Sequence, residues 1–262
     1  MKRSSHLTLA IVLLSALTLA LAQETPAPKE SASKKPAAAH HEAHDVDPLA
    51  LKVFYAVAQP IQQAHTFAFT ALISEEQPTT NGQVVTEFHS VECVVQRPDK
   101  LHLTFRRNSR AVQFFADAQH VTLFAPDAKL YAVLPTNAST IDAALADLNR
   151  KNVDIPIAPF LRSDLYDAAA KSALTAYVIG RVTIFDQEVH QLAFSEPDAD
   201  YQLWVTGGAS PRFVRAEIVN KQLPGKPRTI LQFLDWKIDP QVTAEEFTFH
   251  KPAGASQISF RP

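Results

Sequence analysis

The chain has 262 residues, of which 46% are hydrophobic and 20% are charged, and this balance is typical of a globular protein rather than a disordered one. Its net charge of −2 and its lack of a basic stripe argue against binding to nucleic acid. Its single cysteine, Cys93, excludes an intramolecular disulfide.

The first 22 residues have the pattern of a secretory signal peptide. Lys2 and Arg3 precede an apolar run at 7–19, and Ala20-Leu21-Ala22 has the small residues of a cleavage site. We predict cleavage near Ala22 and export to the periplasm, with an uncleaved membrane anchor as the alternative. The remaining 23 basic and 27 acidic residues give a net charge of −4. Beyond the signal no apolar run is long enough to cross a bilayer, so the mature chain is predicted not to span the membrane.

Residues 23–46 are predicted to be a disordered linker. Pro, Ala, Ser and Lys dominate this segment, and it has few apolar residues to offset the entropy lost on ordering. It contains His40 and His44, whose spacing of one helical turn can chelate zinc or copper. Because no ordered structure would hold them in place, we predict no metal site, and adventitious metal affinity is the alternative. The folded domain is predicted to span residues 47–262.

The folded domain is predicted to begin with a helix. Asp47 is suited to the N-cap and Pro48 to the first helical position, and apolar residues then recur at helical spacing as far as Ala58. Pro60 lies inside this pattern, and we expect it to kink or end the helix near Gln59.

Short strands separated by turn residues follow this helix. They are predicted at 67–75, 84–97, 101–107, 110–116, 120–124 and 129–134. Two helical regions then interrupt them, the first capped by Ser139 or Thr140 and the second around 164–171. Strands resume at 177–185, 187–195, 201–206, 213–220, 229–238 and 247–250. This order predicts an α+β fold, with a curved antiparallel β-sheet, or half-barrel, and helices covering its concave face.

Motifs for catalysis and for cofactor binding are missing from the sequence. It contains no G-x-S-x-G motif, and no glycine-rich loop leads from a strand into a helix. The carboxylates lie in turn-like or terminal contexts, where solvated charge is their ordinary role. We therefore predict a protein that is not an enzyme and that needs no cofactor.

Aromatic residues are the most suggestive set, because they occur on nearly every predicted strand. If the helices cover the sheet incompletely, the remaining apolar cleft can hold an acyl chain, with each buried methylene contributing about 0.8 kcal/mol. The alternative is a fully packed core, and for Trp204 the two interpretations are equally good. The candidate cavity-lining residues are Phe67, Phe69, Phe105, Phe124, Trp204 and Phe233.

Several stretches resemble the DUF2092 family of periplasmic proteins, which is in turn similar to lipoprotein carriers and receptors of the LolA/LolB type. The resemblance extends over 47–255 and is carried by Arg97-Pro98-Asp99-Lys100-Leu101, 123–127, Tyr131, 139–148, 155–168, 190–205, 211–218 and 231–255. It implies a half-barrel closed by a lid of helices, with an apolar interior for acyl chains. Ala118 departs from the family, which commonly has a glycine in that turn, and no residue is matched to the carrier's lipoprotein-handling arginine.

Two functions are compatible with these features. The first is an exported periplasmic protein that binds a lipid or other apolar ligand in a half-barrel cavity and does not catalyse a reaction. The alternative is an envelope sensor or interaction module with a fully packed core, which binds another envelope protein through its convex face or its sheet edge.

Overall fold

The computed structural model describes residues 46–117, 119–136 and 138–259. The predicted signal peptide, His40, His44 and Ala118 lie outside the described residues. The strands are β1 Thr66–Pro78, β2 Val84–Gln96, β3 Lys100–Arg107, β4 Arg110–Ala116, β5 His120–Ala125, β6 Leu130–Pro135, β7 Thr175–Ile184, β8 Gln187–Ser195, β9 Ala199–Thr206, β10 Phe213–Asn220, β11 Arg228–Ile238 and β12 Ser256–Gln257. The helices are α1 Pro48–Gln63, α2 Ile141–Arg150, α3 Ala158–Leu161 and α4 Leu165–Ser172, with a short 3-10 helix at Ala244–Phe247.

These strands form one curved sheet in the order β12-β6-β5-β4-β3-β2-β1-β11-β10-β9-β8-β7. Neighbouring strands are antiparallel, except that β12 runs parallel to β6. The register shifts between Ala68 and Thr70 in β1 and between Phe213 and Arg215 in β10. Such irregularities bend a strand and increase its twist. The predicted α+β fold with a curved antiparallel sheet is confirmed.

The sheet has an inner, concave face under the helices and an outer, convex face. Residues that pair across strands share a face, so the pairing defines continuous rows of side chains. One buried row of the inner face crosses six strands: Phe69, Cys93, Leu103, Phe114, Leu123 and Ala132. The hydrophobic core therefore lies between this face and the helices.

Helix α1 begins as the sequence predicts, but it ends later. The N-cap Asp47 accepts a hydrogen bond at Oδ1 from the backbone nitrogen of Leu49 at 2.8 Å. Of the two outcomes predicted for Pro60, a kink or an end near Gln59, the end is wrong, because the helix continues through Pro60 to Gln63. The proline removes only the hydrogen bond of its own nitrogen, and burial of Ile61 (2% exposed) holds the last turn against the core.

The C-terminal segment also differs from the expectation. The predicted strand at 247–250 is wrong, because a 3-10 helix ends at Phe247 and irregular backbone follows. A short strand that the pattern did not reveal, β12, forms further along and pairs with the edge of the sheet at β6. A two-residue strand is too short for an alternating pattern to reveal it.

Candidate functional site

An aromatic layer lies between the inner face of the sheet and the helices. Its rings come from β1, β10, β11, α1 and α3: Phe67, Phe69, Phe213, Phe233, Trp236, Phe54 and Phe160. Phe160 of α3 lies 5.2 Å from Phe213 and 4.9 Å from Phe233, measured between ring centroids. Centroid distances of about 4.5–7 Å are typical of favourable aromatic pairs, so the layer is one connected cluster.

Most of the layer is closed to solvent in this structure, and Trp236 is its half-buried member. Phe67 and Phe213 are 0% exposed, and Phe233 is 4% exposed. Phe160 contacts both Phe213 and Phe233 and is itself buried. An apolar ligand that is to lie between Phe213 and Phe233 therefore has to replace Phe160, which requires α3 to move away from the sheet.

Four of the six candidate cavity residues lie on this inner face. Phe67, Phe69 and Phe233 belong to the aromatic layer itself. Phe105 lies at its margin, in the row that runs from Phe233 through Ala71 and Val91 to β3, and it is half-buried.

The other two candidates, Phe124 and Trp204, are not brought together with these residues, because they lie on the outer face. Phe124 pairs with Tyr131, one position away from the buried inner row. Trp204 pairs with Arg215, whose guanidinium carbon lies 5.8 Å from the centroid of the indole ring. Side chains on a strand alternate between faces, so a shift of one residue places a ring on the opposite side.

Phe124 belongs to a second aromatic cluster, which the C-terminal segment covers. We call residues 239–258 the strap. Phe249 of the strap lies 5.8 Å from Phe115, 5.3 Å from Phe124 and 5.1 Å from Tyr131, between ring centroids. A strap residue that is more than a hundred positions away in sequence therefore covers these strand rings on the outer face.

Polar contacts also hold the strap to the sheet. Nδ1 of His102 on β3 lies 2.9 Å from Oε1 of Glu246, and the same imidazole stacks on Phe115 at 4.3 Å. At the start of the strap, Oδ1 of Asp239 accepts hydrogen bonds from the backbone nitrogens of His65 and Thr66 at 2.9 and 3.1 Å. The strap is thus fixed at its beginning by backbone donors and in its middle by a contact between an imidazole and a carboxylate beside an aromatic ring.

Reasoning from the sequence missed the residues that close the inner layer. Phe54 and Phe160 lie in predicted helical regions, and the apolar face of a helix that packs on a sheet is the signal for them. Phe213 and Trp236 lie where the strand pairing is irregular, so simple alternation does not predict which face they occupy. The shift between Phe213 and Arg215 lets Phe213 face inward while Arg215 faces outward two residues later.

Arg97 connects the helices to the sheet at the end of β2. Its guanidinium donates to the carbonyl oxygens of Leu161 and Arg162 at 3.2 Å and approaches that of Ile61 at 3.5 Å. It also lies 5.3 Å from the ring centroid of Phe67. Burial lowers the pKa of Arg97, and the nearby Asp142 opposes this effect. One side chain therefore joins the ends of α1 and α3 to the aromatic layer.

A polar band borders the inner face where β1 and β2 extend past the aromatic layer. Nε2 of His89 lies 2.9 Å from Oε2 of Glu75. Asp154 lies between the buried Val153 and Ile155, and its side chain is exposed. Desolvation by the surrounding protein raises the pKa of Asp154, and the negative charge of Glu75 raises it further. The inner face therefore changes from apolar to charged along β1.

The described residues provide little for metal or thiol chemistry. Cys93 is 1% exposed, and burial raises the pKa of its thiol, which disfavours the reactive thiolate. Within 46–117, 119–136 and 138–259, no group of three or more His, Cys, Asp and Glu side chains is placed to hold a metal ion. Over the same ranges, no helix combines the length and the apolar character that crossing a bilayer requires.

An open cleft of about 630 Å³ lies at the opposite edge of the sheet from β7. It is lined by 133–135 of β6, by Lys151 and by 257–259. None of these residues belongs to the aromatic layer, so this cleft is separate from the candidate site.

A family model described as "Predicted periplasmic protein (DUF2092)" matches residues 50–261. No match to this chain was found among curated proteins.

Solved structures with a similar fold share little sequence with the chain. Lipoprotein LppX from Mycobacterium tuberculosis is 13% identical with a TM-score of 0.47, and the match covers 75% of this chain and 98% of that chain. A LolA superfamily protein from Nitrosomonas europaea is 9% identical with a TM-score of 0.35, and the match covers 76% and 97%. The MucA/MucB complex of Pseudomonas aeruginosa gives 12% identity, a TM-score of 0.40, and coverage of 77% and 61%. At these identities and TM-scores, no conclusion about the function of this chain follows from the three structures.

Proposed function

The chain belongs to the DUF2092 family of predicted periplasmic proteins, and from this we propose that it is an exported protein that binds an acyl chain or similar apolar ligand between its sheet and its helices. The proposal includes export through the N-terminal signal with cleavage near Ala22, and a binding role without catalysis. It rests mainly on one observation, the aromatic layer that lines the inner face beneath α1 and α3.

Phe160 occupies the position that we assign to the ligand. Its ring is buried between Phe213 and Phe233, and it belongs to a helix of only four residues. An acyl chain in this position would retain the burial of both strand rings, since each methylene removed from water contributes about 0.8 kcal/mol. Exchange of Phe160 for a ligand therefore preserves much of the apolar burial.

Arg97 would control this exchange. Its hydrogen bonds to Leu161 and Arg162 have to break when α3 leaves the sheet. Each such bond contributes about 1.5–3 kcal/mol when one partner is charged, which favours the closed arrangement in the absence of ligand.

The test is native mass spectrometry of residues 23–262 purified without detergent, followed by organic extraction and by titration with a fluorescent fatty acid. We expect a bound mass that extracts as fatty acid or phospholipid. Phe160→Ala should bind the fluorescent fatty acid about tenfold more tightly if it removes 1.4 kcal/mol of displacement cost. The matched control, Phe249→Ala, removes the same ring from the outer face and should leave the affinity unchanged.

Arg97→Gln provides a second, independent change. We expect it to lower the free energy of unfolding by about 1–3 kcal/mol, because backbone carbonyls lose their donor. It should also speed the uptake of the fluorescent fatty acid, measured by stopped-flow fluorescence. Slower uptake in this variant would contradict the assigned role of Arg97.

The second candidate function is a protein-interaction module with a packed core. The observation that favours it is the complete burial of Phe67 and Phe213 against other side chains. Absence of an extractable lipid, together with no uptake of the fluorescent fatty acid by either the wild type or Phe160→Ala, would leave this candidate in place of the first.

A further inference from the structure

The outer face of the sheet has two halves that differ in their cover. The strap crosses β3–β6, where Phe249 contacts the rings of that half. On β1, β2 and β11 the same face carries exposed apolar side chains, with Leu72 52%, Phe88 71% and Leu234 36% exposed. A cluster of this kind on a sheet face is a feature of interaction sites rather than of solvated surface.

Strand pairing places the side chains of Gln232 and Arg215 beside these apolar residues. Leu72 pairs with Gln232, which pairs with Arg215, which pairs with Trp204. This row runs across β1, β11, β10 and β9 on the outer face. We call Leu72, Phe88, Leu234, Gln232, Arg215 and Trp204 the open patch.

The side-chain amide oxygen of Gln232 accepts no hydrogen bond from the described residues. The residue is 9% exposed, and its Nε2 donates to the carbonyl oxygen of Val214 at 2.8 Å. Val214 lies at the register shift of β10. A flipped amide would place two oxygens against each other, so this orientation is the favourable one. Oε1 is then buried with no hydrogen-bond partner in the described part of the chain, and such a group requires an explanation.

The guanidinium of Arg215 forms no ion pair with a carboxylate of the described residues. Its guanidinium lies over Trp204, and none of the ion pairs among the described residues includes it. Glu217 is two positions further on the same strand, and none of the ion pairs among the described residues joins it to Arg215. The positive charge of Arg215 is therefore available to a partner.

The covered half of the outer face shows how a polypeptide segment binds this sheet. There the imidazole of His102 stacks on an aromatic ring, and its Nδ1 lies 2.9 Å from the carboxylate of Glu246. Three residues later, Phe249 inserts its ring between strand side chains. In the open patch, Arg215 and Trp204 repeat the stacked pair, and Leu72 and Leu234 provide the apolar surface, but no described carboxylate or ring completes the arrangement.

We propose that the open patch binds an extended segment of another polypeptide, which presents a carboxylate to Arg215 and an apolar or aromatic side chain to Leu72 and Leu234. Because Oε1 of Gln232 is buried, a backbone amide of the segment can donate to it only after the Gln232 side chain turns outward. Arginine and tryptophan are enriched among the residues that carry most of the affinity in protein interfaces, and aromatic residues such as phenylalanine are enriched in the interfaces themselves. This site is on the opposite face from the proposed ligand layer and does not depend on it.

The test is site-specific photo-crosslinking in cells that export the full chain, with p-benzoylphenylalanine in place of Leu72 or of the control residue Phe185. Phe185 is as exposed as Phe88, at 71%, but it lies in the β7–β8 turn. We expect a discrete adduct with another polypeptide from position 72 and none from position 185. A second substitution, Arg215→Gln, should reduce the yield of that adduct about tenfold or more, as loss of an interfacial charge pair does.

The cross-linked segment, identified by mass spectrometry, is then synthesised and titrated against purified protein. Replacing its acidic residue by the amide should weaken binding about tenfold or more to the wild type and have no further effect on Arg215→Gln. Uptake of the fluorescent fatty acid should be the same in Arg215→Gln and wild type, which separates this result from the ligand experiment. Four results would each overturn the proposal. They are an adduct with a second copy, an adduct with residues 1–45 of the same chain, equal adducts at both positions, and no adduct.

Discussion

Phe160 and Phe249 cover opposite faces of the same sheet, and each places one ring among aromatic side chains of the strands. Around Phe160 the neighbouring rings are almost completely buried, and α1 and α3 belong to the hydrophobic core. Phe249 is only half-buried, and the strap that carries it is held by the His102–Glu246 contact, by Asp239, by the buried side chains of Phe247 and Ala255 and by the two residues of β12. The same ring chemistry therefore supports a fully buried core on one face and a partly exposed cover on the other.

From this difference we expect the depth of burial, and not the number of aromatic contacts, to decide how much a covering segment contributes to the free energy of unfolding. Removal of a ring from the inner layer leaves a cavity that the surrounding rings cannot fill. Removal of Phe249 exposes its neighbours to water, which costs less because no void forms. Three substitutions test this comparison.

The largest effect is expected for Phe213→Ala in the inner layer. Phe213 is 0% exposed and lies within 6.3 Å of the rings of Phe54, Phe160, Phe233 and Trp236. We expect the free energy of unfolding to fall by about 3–5 kcal/mol, measured by urea denaturation. The control, Phe88→Ala, removes a ring that is 71% exposed and should change stability by less than about 0.5 kcal/mol. Equal losses in the two variants would contradict the comparison.

A smaller and local effect is expected for Phe249→Ala on the outer face. We expect a loss of about 1–2 kcal/mol, since the ring is half-buried and leaves no closed cavity. The strap should detach before the sheet unfolds. Hydrogen exchange is the measurement, because the backbone nitrogens of Ser256 and Ile258 donate to Lys129 and Tyr131 at 2.9 Å. Faster exchange there, with unchanged exchange in β1 and β2, is the expected result, and a uniform increase over the whole chain would show that the strap is part of the core.

The smallest effect is expected for Asp154→Asn at the margin of the inner face. The folded pKa of Asp154 is raised, so the folded state disfavours the carboxylate, and stability falls as the pH rises from the unfolded pKa through the folded value. At pH 7 the substitution should raise Tm by about 1–3 °C, the shift that less than 1 kcal/mol produces in a domain of this size. At pH 3 both side chains are uncharged and the Tm values should agree. A rise of equal size at both pH values would exclude the electrostatic explanation.

Local patterns predict much of the fold. The start of α1 at Pro48 depends on Asp47 and its immediate neighbours, and the N-cap of α2 is Thr140, one of the two predicted residues, with Oγ1 accepting from Ala143. Most strand positions follow from alternation and turn residues, which are also short-range features. The predicted end of α1 near Gln59 was wrong because it depends on a long-range feature: tertiary burial of Ile61 outweighs the local effect of Pro60.

The candidate site was predictable in part. Alternation placed Phe67 and Phe69 on one face, and both do lie in the aromatic layer. No local signal distinguishes Phe105 and Phe233, which face the helices, from Phe124 and Trp204, which do not. The assignment requires the register across several strands, and a shift such as that between Phe213 and Arg215 changes it.

Capping residues, turn residues and the alternation of apolar side chains thus specify the order and the kind of the elements, because these effects act over a few bonds. The face that each aromatic ring occupies, the insertion of Phe160, and the cover that Phe249 provides are set only in the folded chain. They depend on contacts between segments far apart in sequence, and the free energy of such contacts is gained only when the sheet has formed.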